Sequence, residues 1–234
     1  MVKTSLNKKT SILAKNITAG YGDDPAIRNI NLEIPKGKIF GLIGLNGAGK
    51  TTFIKTVLDL LKADKGSILT DGEVVYLPEK FEPPAFLSGY EFLRFALSFY
   101  NKSASDDDIK DNAGQLALQL EALSRRCNTY SKGMKQKIGL MSAFMSPAPV
   151  IILDEPMSGL DPLARACVKD KILECRKAGR TVFLSSHILA DMDEICDTIA
   201  VIDQGVVKFT GTPKALKKQG KEDYLERAFL SIIK

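Results

Sequence analysis

The stretch that most limits how this chain can fold runs from Lys38 to Leu61, KIFGLIGLNGAGKTTFIKTVLDLL. An apolar run enters a glycine-rich turn, and the turn opens into a helical pattern with Phe53, Ile54, Val57, Leu58 and Leu61 on one face. Gly44, Gly49, Lys50 and Thr51 satisfy the spacing G-x-x-x-x-G-K-[ST], with Asn46, Gly47 and Ala48 inside it. A strand before and a helix after are the context this motif needs. Its glycines let backbone N–H groups turn toward an anion, and the helix start adds positive potential. Lys50 is suited to β- and γ-phosphates, Thr51 to Mg²⁺, and Thr52 to the α-phosphate. The motif indicates a nucleoside triphosphate and leaves the use made of it open, because ATPases, GTPases and kinases share it.

Around that unit, SILAKNITAGYG and AIRNINLEIPKG alternate apolar and polar residues and end in turns, as strands of an antiparallel layer do. GSILTDGEVVYLPE reads as short strands around an Asp-Gly turn. From Gly89 to about Met145 the pattern is mainly helical, with a break near NKSASDDD, where SASD offers a helix start. VIILDEP and RTVFLSSH are apolar without alternation, which suits strands covered on both faces. TIAVIDQG and VVKFTG form a closing hairpin, and the tail places Leu225, Phe229 and Ile232 on one helical face. The expected fold class is therefore α/β, a phosphate-loop NTPase core with an antiparallel β layer and an inserted helical subdomain. The expected division is 1–87 and 147–234 for the core with its β layer, and 88–146 for the helical subdomain.

Two strand ends carry candidate chemistry. VIILDEP delivers Asp154 and Glu155 to the C-terminal edge of a buried strand, beside the phosphate loop. Asp154 is suited to hold Mg²⁺, directly or through water, and Glu155 to take a proton from an attacking water. His187, the one histidine, ends TVFLSSH at the same edge, where an imidazole N–H could donate to a terminal phosphate and orient Glu155.

Composition narrows the remaining classes. A chain of 234 residues, 44% hydrophobic and 26% charged, suits one large globular unit. The formal charge of +5 is spread along the chain and reads as a solvated surface, so no nucleic-acid partner is expected. Four scattered cysteines without a C-x-x-C pair suggest neither a disulfide framework nor a zinc site, and fit a reducing compartment. The start MVKTSLNKKTSILAKN lacks the apolar centre of a signal peptide. No apolar run approaches the ~20 residues that cross a bilayer, so any membrane crossing is expected in another chain.

These motifs together resemble the ATP-binding subunit of ABC transporters, over nearly the whole chain. The resemblance implies an adenine-stacking Tyr21, the loop from Gly44 to Thr52, a glutamine-loop position at Glu79, and a signature from Ser131 to Gln136. Asp154 with Glu155, then Asp161 closing SGLD, and the switch residue His187 complete it. A base stacked on Tyr21 would gain roughly 1–3 kcal/mol. The signature here is YSKGMKQK, similar to single-cassette exporters of the drug, antibiotic and sodium-export type. In the family this segment touches ATP held by a second cassette, so Ser131, Lys132, Gly133 and Gln136 are expected to act in trans and Asp161 to couple the two sites. Ser131 also reads as an ordinary helix cap, and so does Asp161 before Pro162.

The resemblance further implies ATP and Mg²⁺, with Thr51, Asp154 and Glu79 as metal ligands. It implies a transmembrane permease subunit on a separate chain, a second cassette as homodimer or heterodimer, and a peripheral place on the cytoplasmic face of the cell membrane. One departure stands out: YLPEKFEPP supplies Glu79 where the family carries Gln, and an ionised Glu cannot donate. Two other functions stay open on the residues alone. One is a soluble ABC-type ATPase acting on ribosomes or DNA, and the other a weakly hydrolysing regulatory cassette in a heteromeric pair.

Overall fold

The computed structural model describes residues 6–233, so part of the polar N-terminal start lies outside the described residues. Strand β1 (Thr10–Ala19) pairs antiparallel with β2 (Ile27–Pro35) and with β4 (Lys65–Thr70), giving a three-stranded layer ordered β2-β1-β4. A second sheet holds six strands in the order β5-β6-β7-β3-β8-β9. These are β3 (Ile39–Ile43), β5 (Val74–Leu77), β6 (Val150–Asp154), β7 (Thr181–Ser186), β8 (Thr198–Asp203) and β9 (Val206–Gly211). All its pairings are parallel except the closing β8–β9 hairpin.

The apolar runs without alternation are explained by two hydrophobic cores, one on each face of this sheet. Ile39, Ile43, Ile151, Leu153, Val182 and Leu184 face the helices, whereas Phe40, Leu42, Ile152, Phe183, Ala200 and Ile202 face the β layer. Covering both faces removes the polar side that a half-exposed strand would show. On the β-layer side, Phe183 meets Phe40 and Phe53 edge-on, with ring centroids 5.9 Å and 6.1 Å away.

Helix α1 (Lys50–Val57) follows the glycine loop directly. It is shorter than its apolar periodicity suggests: Leu58 closes it, Asp59 takes a positive φ of 57°, and Leu58 and Leu61 pack on the β-layer core from beyond the helix end. The strands flanking Asp71–Gly72 do not pair with each other. β4 joins the small layer and β5 the large sheet, so the turn is a crossing between sheets.

The helical segment holds α2 (Gly89–Ser98), α3 (Asp106–Gln115), two 3₁₀ turns and α4 (Lys132–Met145). Ser88 with Glu91, and Ser105 with Asp108, form capping boxes at the starts of α2 and α3. Its apolar residues belong to the same continuous core as the helix-side face of the large sheet. At the far end of α4, Arg180 donates to the carbonyls of Phe144 (2.7 Å), Ala143 (3.3 Å) and Ala148 (2.9 Å), fixing the last turn to the start of β7. The chain then supplies α5 (Pro162–Lys177), α6 (Leu189–Ile195), α7 (Pro213–Gly220) and α8 (Leu225–Ile233), the last burying Leu225, Ala228 and Phe229. Among the described residues no helix is long and apolar enough to cross a membrane.

Candidate active site at the sheet edge

The parallel register brings the C-terminal ends of β3, β5, β6 and β7 to one edge, with Ile43 opposite Ser186 and Asp154 opposite Ser185. The loop leaving β3 is wedged there. A Cβ on Gly44 would come 2.5 Å from the Ile202 carbonyl oxygen; one on Gly49, whose φ is 105°, would come 2.6 Å from Ile27 Cγ2. Only glycine fits either position. Gly49 also starts α1 with no side-chain cap, so the first-turn amides keep their capacity for an external acceptor.

Asn46, Gly47, Gly49, Lys50, Thr51, Thr52, Glu79 and Glu155 line a cleft of about 270 Å³, together with Ala26 and Leu45. Gly44 and Ala48 stand behind it. The Gly44 carbonyl accepts from Lys50 at 2.8 Å, and the Ala48 methyl packs into the β-layer core, leaving only its backbone for the loop. Lys50, 6% exposed, also reaches the Leu45 carbonyl at 3.3 Å.

Beneath the cleft the carboxylates are tightly organised. Thr51 donates to Asp154 Oδ2 at 2.8 Å, and Ser185 donates to Oδ1. The Ser185 oxygen in turn accepts from the Glu155 amide at 3.0 Å. Sequence reading missed Ser185; its place two residues before His187, on the strand that leads into the expected switch residue, was the available signal. Glu155, 5% exposed, has a positive φ of 49°, a conformation that costs a non-glycine residue about 1–2 kcal/mol. Its Oε2 lies 2.9 Å from His187 Nδ1 and accepts from the His187 amide at 3.3 Å. Its Oε1 is 3.3 Å from the Lys50 ammonium, close enough to attract it, yet has no hydrogen-bond partner among the described residues.

Tyr76, on β5, is half-buried near this group. Burial raises its phenol above the ordinary value, and the nearby Asp154 carboxylate raises it further.

The remaining expected residues lie outside the cleft lining. Tyr21 is 63% exposed, with the Lys55 ammonium 5.7 Å from its ring centroid. Ser131 caps α4 by accepting from the Met134 amide at 3.3 Å. Asp161 caps α5 by accepting from the Ala164 amide at 2.9 Å, and that bond holds its carboxyl below the usual range. Gly133 and Lys132 lie against the turn at Gly159: a Cβ on Gly159 would meet Lys132 Cε at 3.4 Å. Gln136 is 5% exposed and donates to the Pro156 carbonyl at 3.1 Å, so its amide is engaged with its own chain. Gln136, the fifth residue of α4, points inward because Gly139 and Leu140, three and four residues on, lie on the same buried face. Glu79 is exposed and borders both this cleft and a second cavity of about 360 Å³ shared with Lys132 and Lys135.

The donor set fits Mg²⁺. Thr51 and Asp154 present hard oxygens in contact with each other, with Glu79 at the rim, and the described residues hold no cluster of three or more His, Cys, Asp or Glu suited to a metal. Mg²⁺ commonly uses one or two protein oxygens and completes its shell with phosphate and water.

A family model described as ABC transporter matches residues 27–158. An uncharacterized ABC transporter ATP-binding protein of Synechocystis is 37% identical over 80% of this chain. This chain spans only 56% of that relative's length. The ABC-type transporter ATP-binding protein EcsA of Bacillus subtilis is 30% identical, with 94% of this chain and 95% of that protein covered. A solved structure of an ATP-binding subunit of an ABC transporter superimposes with a TM-score of 0.88 at 30% identity, covering 96% of this chain and all of the other.

Proposed function

Given that this chain belongs to the ABC transporter family, among its ATP-binding proteins, we propose that it binds ATP with Mg²⁺ at the Lys50 cleft and hydrolyses it to drive an exporter. The observation that carries this reading is the convergence of Lys50, Thr51, Asp154, Glu155 and His187 at one sheet edge. The loop amides and Lys50 take the β- and γ-phosphates, and Lys50 exchanges its contact with Glu155 for phosphate oxygens. Thr51 and Asp154 would hold Mg²⁺, with Glu79 as a further oxygen; the ion supplies charge neutralisation on the phosphates. Glu155 accepts the proton of the attacking water, and His187 fixes the direction of its carboxylate. Tyr21 stacks on the adenine.

The reading includes a second cassette. Ser131, Lys132 and Gly133 face the nucleotide of that partner, and Asp161 lies at the seam between the two. Residues 1–87 and 147–234 act as the nucleotide-binding core, and 88–146 as the helical part carrying the signature. A permease on a separate chain crosses the membrane, and this chain works at its cytoplasmic face. ATP binding closes the pair of cassettes, and closure biases the permease between two states. Phosphate release measured against ATP concentration, with and without the detergent-solubilised permease, tests this. Sigmoidal dependence is expected, whereas hyperbolic kinetics from a monomer would count against paired sites.

A further inference from the structure

We infer that Gln136 is a positioning residue for Glu155, acting through the Pro156 carbonyl and not by contact with nucleotide. The inference rests on the ATPase reading for its functional half only. Glu155 occupies the left-handed region while preceding a proline, and a following proline disfavours compact conformations for the residue before it. Such a residue persists only where its surroundings over-determine it. Here three hydrogen bonds do so. The Glu155 amide donates to Ser185 at 3.0 Å, its carbonyl accepts from the Ser158 amide at 3.1 Å, and Gln136 holds the next carbonyl, that of Pro156, at 3.1 Å.

The third bond is the one supplied by α4. Gln136 stands five residues after Ser131, which starts that helix, so one buried amide links the helix carrying the signature to the backbone that aims the carboxylate. Its burial makes the bond costly to lose, since the Pro156 carbonyl would be left without that donor in an enclosed place.

The test is Gln136→Met, which keeps the volume and removes the donor, with Gln136→Glu as a second variant that loses the donor when ionised. Hydrogen exchange at the Ser158 amide should quicken by roughly tenfold, the scale of one buried hydrogen bond, in the chain without nucleotide. Turnover should fall by at least about tenfold with the Michaelis constant for ATP within about threefold, and the loss should vanish in a Glu155→Gln background. Unchanged Ser158 exchange, unchanged turnover, or an equal loss in both backgrounds would overturn the inference. A wild-type chain without turnover would remove the ATPase reading instead, and the Ser158 exchange would then decide the positioning role alone.

Discussion

The Lys50 ammonium stands 3.3 Å from Oε1 of Glu155, with both side chains almost fully enclosed. The residue proposed to grip phosphate and the residue proposed to take a proton therefore stand within ion-pair distance of each other. Phosphate binding and carboxylate freedom are linked, because a triphosphate that draws Lys50 away leaves Glu155 held by His187 alone.

Glu155→Gln is expected to cut turnover by roughly 10²- to 10⁴-fold, the range of a lost general base, while ATP stays bound. The amide can still approach Lys50 and His187, so folding survives. Phosphate release together with equilibrium nucleotide binding checks both halves; turnover within a few-fold of wild type would refute the assignment.

Ser131→Ala separates a cap from a contact. Loss of the bond to Met134 should cost about 1 kcal/mol, which lowers the thermal midpoint by about 2–4 °C in a chain of this size. If Ser131 also meets the partner's nucleotide, turnover at saturating ATP falls as well. A lowered midpoint with full turnover leaves it as a cap only.

Glu79→Gln removes a negative charge from the cleft rim. Nucleotide affinity measured without Mg²⁺ should tighten by roughly two- to tenfold, and the gain should shrink at high salt. An unchanged affinity at low salt would place the Glu79 carboxylate away from the phosphates.

Alkaline titration should show late-titrating phenols. Burial pushes Tyr130 up to about 12 and raises Tyr76 and Tyr100 as well. Because their folded values lie above the unfolded value near 10, the stability they contribute is fully present below pH 10. It declines as the pH rises through the folded values. Phenolate absorbance should therefore lag that of the unfolded chain, and Tyr76→Phe should remove part of the lag.

Much of this was legible in the chain itself. The glycine loop, the twin carboxylates and His187 sit at strand ends that apolar runs already mark, and each cap from Ser105 to Asp161 follows a local rule. What escaped was non-local. Nothing near Asp71–Gly72 says that β4 and β5 part company, since their partners, β1 and β6, lie far away in the chain. Helical periodicity could not fix the end of α1, because Leu58 and Leu61 pack half-buried against the β-layer core without being helical. The inward turn of Gln136 depends on where Pro156 falls in space, and motif order is silent on that.

The two-sided burial of β6 has a consequence for errors in the chain. Ile151 and Ile152 answer to different surroundings, one to helices and the other to the β layer. A single-residue insertion or deletion within the strand would exchange their addresses and shift Asp154 away from Ser185 at the same stroke. The apolar filling thus serves as a ruler for the polar end: a strand that slips fails to fold before it can misplace a carboxylate.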